Sequence, residues 1–184
     1  MKTILAKIIR ILTVPPILVT MILTVIYLTH PVYFAHDLRL WGLTVFWLGA
    51  FPALAYLGTQ NRERQRNTAF VLSVTGYSLN CLCAYFLQVP HFLWVIDVTY
   101  LLSVVILLVF NKILHIRASG HACSVIGPCV FALLYIRGWI ALPFVFLSVC
   151  SIWASLSLKR HCVHDILFGI LAFLIAFMVS FLFF

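Results

Sequence analysis

Lys159-Arg160-His161-Cys162-Val163-His164-Asp165 is a short polar stretch between two oily runs, residues 139–158 before it and 163–183 after it. Both runs are long enough to cross a bilayer as helices, and a break this brief can only return the second helix beside the first. If the second helix is regular from His161 onward, His161 and Asp165 lie one turn apart on one face. The carboxylate then holds one nitrogen of the imidazole and the other points outward.

The same alternation runs through the whole chain. Of its 184 residues, 65% are hydrophobic and 9% charged, and the mean hydropathy is +1.16. Apolar runs fall near residues 15–29, 38–58, 69–88, 92–110, 121–136, 139–158 and 163–183. Such runs can satisfy their backbone in lipid only as helices. The expectation is an all-α polytopic membrane bundle of six or seven transmembrane helices, forming one domain over residues 1–184. The short fifth run and the tight break at Arg137-Gly138 leave the count between six and seven.

The formal net charge of +8 would suggest nucleic acid in a soluble chain. Here the cations sit in short loops between greasy segments, which points to membrane orientation and anionic headgroups and away from nucleic acid. Residues 1–14 read as an interfacial amphipathic helix, with Lys2, Lys7 and Arg10 on one arc and Ile4, Leu5, Ile8, Ile11 and Leu12 on the other. In a seven-span arrangement ten cations fall on one side and only Arg39 and Arg137 on the other. The positive-inside rule puts the richer side in the cytoplasm, and the cell membrane is the expected location. The six cysteines lie mostly inside apolar runs and read as small buried residues.

Span counting brings three polar loops to one face, because two crossings separate each from the next. The first, residues 61–67, carries Arg62, Arg64 and Arg66, whose planar forks suit phosphate or carboxylate oxygens. The second ends Arg117-Ala118-Ser119-Gly120-His121: Ser119 can cap a new helix, and Gly120 lets an anion approach its free amides. The third holds His161 and Asp165, an acid that orients a ring able to attack or take a proton. His121 supplies a second imidazole on that face, suited to protonate a leaving oxygen.

These residues resemble the type 2 phosphatidic acid phosphatase family. Its pattern has a basic first motif, a Pro-Ser-Gly-His second motif, and a third of Ser-Arg, five residues, His, three residues, Asp. Here the second motif reads Ala118-Ser119-Gly120-His121, and the third contains His161 and Asp165 followed by Ile166-Leu167-Phe168-Gly169. The resemblance spans about residues 60–170 and implies a membrane phosphatase acting on a lipid phosphomonoester or an isoprenyl diphosphate. By it, His161 forms a phosphohistidine, Asp165 orients it, and His121 donates the proton. Ser119, the Gly120 amide, Arg117, Arg160, Arg62 and Arg66 hold phosphate oxygens, with no metal and no cofactor.

The chain departs from that pattern at Ala118, which replaces the proline, and at Ala154 and Ser155, which stand where the third motif has serine and arginine. One phosphate clamp is thereby missing, and Arg160, Lys159 and Arg117 are the residues available to replace it. The loss of such a contact costs on the order of 100-fold in rate. This motivates an alternative, a non-catalytic member of the same fold that binds or carries an anionic lipid. A zinc site from His161, Cys162 and His164 is disfavoured, since those positions point to different faces. Asp97, inside an apolar run, is expected to snorkel or to bond Tyr100, and Gly127-Pro128 and Pro143 are expected to kink their helices.

Overall fold

A hydrocarbon environment allows no unpaired backbone, and among the described residues the chain is helical with no strand. The computed structural model describes residues 2–57, 61–136 and 138–184, leaving out the side chains of Lys2 and Arg62. Eight elements follow in order: α1 (Lys2–Leu12), α2 (Pro15–Thr29), α3 (Leu38–Tyr56), α4 (Arg62–Leu87), α5 (His91–Ile113), α6 (Gly120–Tyr135), α7 (Leu142–Ser157) and α8 (Val163–Phe183). α3 passes through a π turn at Phe46–Ala50, and α5 ends in another at Val109–Ile113.

Among the described residues five segments are long and apolar enough to span a membrane, α7 counting together with the 3₁₀ turn before it as Gly138–Ser157, and the α1–α2 pair, bent by 53°, makes a sixth if it crosses as one span. α6 has 16 residues, a length of about 24 Å at 1.5 Å per residue, short of a hydrocarbon core of about 30 Å. The expected count of six or seven thus turns on the bent α1–α2 pair and on this short helix. The bend has a local cause. Pro15 and Pro16 open α2; a proline cannot continue the hydrogen bonds of α1, and it drives Val14 before it to extended backbone. Val14 sits at φ −59°, ψ 133°.

α6 lies at the centre, packed against α2, α7 and α8, while α5 packs against α4 and α8 and α1 lies on α7. α8 buries Asp165, Ile166, Gly169, Ala172, Phe173, Ala176, Phe177 and Ser180, a stripe at helical spacing of which half is small: Gly169, Ala172, Ala176 and Ser180. In lipid the partners are as apolar as the solvent, so close backbone approach replaces the hydrophobic drive. At Gly127 a side chain would meet the Phe173 ring and the Tyr100 hydroxyl, each 2.9 Å from the added carbon. Leu133, Phe146, Leu167 and Met178 face outward, as a lipid-facing surface requires.

Two expectations about this interior need correction. Asp97 does not snorkel: it is 1% exposed and lies against Asn80, and the Tyr100 hydroxyl has no hydrogen-bond partner. It sits mid-bundle because α5 is enclosed by neighbours along this stretch. Pro143 opens α7 and does not kink it, since the first turn needs no intrahelical amide there. Gly127 and Pro128 lie inside the helix, which runs from Gly120 to Tyr135.

Candidate functional site

The site is assembled where α5 hands over to α6 and α7 hands over to α8. Asn111, near the end of α5, accepts from the Ala118 amide at 3.1 Å and donates to the Ala118 carbonyl at 3.2 Å. This two-way clasp fixes the loop just before Ser119. The Ser119 hydroxyl then accepts from the Ala122 amide at 3.3 Å, capping α6 as its position before Gly120 predicts. The Ser119 amide donates to the Asp165 carbonyl at 2.8 Å. The second and third polar loops are therefore joined backbone to backbone.

On the α8 side, Asp165 closes the first turn. Its carboxylate accepts from the Cys162 amide at 3.3 Å and from the Cys162 thiol at 3.1 Å, a capping box with cysteine in the usual serine place. The same carboxylate, 4% exposed in its side chain, meets His161 Nδ1 at 3.2 Å and Arg117 Nε at 3.3 Å. A buried carboxylate is costly unless paired and hydrogen-bonded, and this one is held by four donors from three residues. With Nδ1–H donating to Asp165, the lone pair of His161 sits on Nε2 and faces away from the acid. Burial lowers the His161 pKa from its usual value. Asp165 opposes that shift, and the charges of Arg10 and Arg117 add to it.

His121 lies on the first turn of α6. Its Nε2 meets the Ser151 hydroxyl of α7 at 2.9 Å, and the charges of Arg10, His161 and Arg160 all reach its ring. The structure thus gathers His161, Asp165, His121, Ser119, Arg117 and Arg160 around one junction. Arg117 also donates to the Arg160 carbonyl at 3.4 Å. Gly120 carries the first amide of α6 and is exposed beside them. Arg66 is exposed on α4, which packs against α3 and α5, and among the described residues no hydrogen bond or ion pair ties it to this junction. The Arg62 side chain lies outside the described residues, as does Arg137.

Four residues that the sequence reading did not assign enter here. Arg10 Nη1 donates to the Ser155 hydroxyl at 3.1 Å. Thr13 meets Ser151 at 2.9 Å, so a line of hydroxyls leads from the α1–α2 bend to His121. The only sign of this in the sequence is that the polar arc of α1 is continued by Thr13, while α7 repeats serine at 148, 151 and 155 on its buried face. Among the described residues there is no group of three or more His, Cys, Asp or Glu side chains able to hold a metal ion. The six cysteines are free, and only Cys162 is exposed. Comparisons with protein-family models, with curated proteins and with solved structures find no match to this chain.

Proposed function

We propose that this chain is a membrane phosphatase that hydrolyses a lipid phosphomonoester or an isoprenyl diphosphate through a phosphohistidine on His161. The observation that carries the reading is the His161–Asp165–Arg117 cluster bonded directly to the Ser119 cap of α6. In this scheme His161 Nε2 attacks phosphorus, Asp165 stabilises the ring as it gains charge, and His121 gives a proton to the leaving oxygen. Water then takes the phosphoryl group from His161. Ser119, the first amides of α6, Arg117 and Arg160 hold the nonbridging oxygens, at a helix N-terminus that favours an anion. The resemblance to type 2 phosphatidic acid phosphatases in the second and third motifs supports the same assignment. Purified protein in detergent should release phosphate from phosphatidic acid or undecaprenyl diphosphate with a chelator present. A protein that binds these lipids without turnover would favour the second reading, a non-catalytic lipid binder, which Ser155 in place of the motif arginine motivates.

The burial of His161 gives the reading a pH signature. A histidine in water titrates near pH 6.5, and His161 is held below that value, chiefly by burial. The nucleophile must be neutral, so the acid limb of kcat/KM is expected below about pH 6.5. Because Asp165 raises the His161 pKa, Asp165→Asn should move the limb to still lower pH while reducing the rate. A limb that moved upward in that variant would contradict the arrangement.

The charge asymmetry favours the cytoplasmic side for the site, and Cys162 offers a test. It is exposed beside His161, whereas the other five cysteines are buried or half-buried. A membrane-impermeant maleimide should label it in inverted vesicles and not in intact cells. Labelling of intact cells would reverse the orientation without touching the chemistry.

A further inference from the structure

The third motif lacks its arginine: at position 155, six residues before His161, a serine stands. That serine is 2% exposed, at the end of α7, facing α1. The Arg10 guanidinium reaches it from α1 and donates to its hydroxyl at 3.1 Å. The same cationic group acts electrostatically on both His121 and His161. Three residues further on, Thr13 meets Ser151, which in turn meets His121. Arg10 and Thr13 thus both turn toward α7, while Ile4, Leu5, Ile8, Ile11 and Leu12 are 49–66% exposed on the outer surface of α1.

The charge balance at this junction is lopsided. Arg10, Arg117 and Arg160 surround two imidazoles, and Asp165 is the one acid there, already engaged by Arg117 and His161. Such an excess of guanidinium suits an anion. A guanidinium carries five N–H donors in a planar fork, and the bond to Ser155 fixes how that fork is aimed. A serine at 155 is short enough to admit a guanidinium from another helix into the space that an arginine there would occupy.

We infer that Arg10 is a phosphate-binding residue of this site, supplied by the N-terminal helix in the place that Ser155 leaves vacant. α1 is then a wall of the site as well as a surface-lying helix. This inference rests on the proposed phosphoryl-transfer site, and it adds to that site a residue from outside the motif-bearing region. The ligand class is a phosphate or phosphate-like oxyanion with at least two oxygens to share between Arg10 and the α6 N-terminus.

The test uses full-length protein in detergent with two readouts: orthovanadate affinity from thermal stabilisation, and phosphate release from phosphatidic acid and undecaprenyl diphosphate. Arg10→Ala should weaken vanadate binding about tenfold or more and slow release about 100-fold, as expected for a lost transition-state contact. Arg10→Lys, which keeps the charge and the packing stem but lacks the fork, should recover only part of this. The double variant Arg10→Ala with Ser155→Arg should recover most of it by returning the guanidinium from α7. Lys7→Ala, on the same helix but exposed, should change neither readout. If wild-type protein hydrolyses lipid phosphates and both Arg10 variants stay within twofold in rate and vanadate affinity, the inference falls and the phosphatase reading stands. If no turnover is seen but vanadate binding depends on Arg10, the hydrolytic reading falls and Arg10 keeps its role. If wild-type protein neither binds vanadate nor releases phosphate, both fall.

Discussion

Replacement of His161 by alanine is expected to reduce phosphate release by at least about 10⁴-fold, equivalent to about 5 kcal/mol of barrier. The reason is chemical. In the proposed route the phosphoryl group rests on the imidazole, and no neighbour can take over that task. His121 engages Ser151 through Nε2 and lies on α6, and His164 is exposed and packs at a tilt against the Phe168 ring. Vanadate binding should survive, because Arg117, Arg160 and the α6 N-terminus do not depend on the ring. A base-stable, acid-labile phosphoryl adduct should be trapped on wild-type protein and be absent from His161→Ala. An adduct of undiminished yield in that variant would remove His161 from the nucleophilic role. Only a modest fall in rate would do the same.

Gly169→Leu should have the second large effect, on assembly of the site. A Cβ at residue 169 would run into the Ser119 carbonyl oxygen and also approach Ala122 of α6. The obstacle is backbone, which cannot rotate aside as a side chain can. The Ser119 amide bonds the Asp165 carbonyl one turn earlier on the same helix, so separation of α6 from α8 at Gly169 strains the contact that joins phosphate seat to nucleophile. The expected cost is about 3 kcal/mol, at the upper end of overpacking penalties. A lower thermal midpoint in detergent, together with loss of vanadate stabilisation, would report it. Gly42→Leu, at a position with open space around it, is the matched control. Equal stability of the two variants would mean that α6 and α8 are not held as closely as described.

Much of the architecture could be read from residue order alone. Apolar runs punctuated by charge mark helices in lipid, and Ser119 before Gly120 marks a helix start. Those signals are local, and local geometry honours them. The spacing of His161 and Asp165 marks a pair that meets, but not on one helix face: α8 begins at Val163, and His161 reaches Asp165 from ahead of the Cys162 cap. The docking of α1 could not be read this way. An amphipathic helix declares which residues share an arc, but in a membrane protein the outward environment is as greasy as a neighbouring helix, so the pattern does not say which arc is covered. Here the arc of Arg10 is the one against protein, and its partner Ser155 lies 145 residues away in the chain. Asp97 eluded the reading for a related reason. Its distance from the run's end suggested escape to the surface, yet Asn80, contributed by α4, lies against it in the interior. Arg66 shows the converse: a basic cluster signals a loop that can meet an anion, but not which neighbours its helix will have.

The hydroxyls between α1 and His121 carry one more implication. Thr13 owns a single hydroxyl proton and has two acceptors in reach, the Ile9 carbonyl at 2.9 Å and Ser151 at 2.9 Å. Given to Ser151, that proton turns the serine's own hydrogen onto His121 Nε2, which leaves Nδ1 as the ring's protonated nitrogen. Given to Ile9, it leaves Thr13 Oγ1 able to accept from Ser151, and with that hydroxyl turned away from the ring a neutral His121 takes the Nε2–H form with a bare Nδ1. A threonine at a proline-induced bend is thereby linked, through one serine, to which nitrogen of a neutral imidazole on another helix carries the hydrogen.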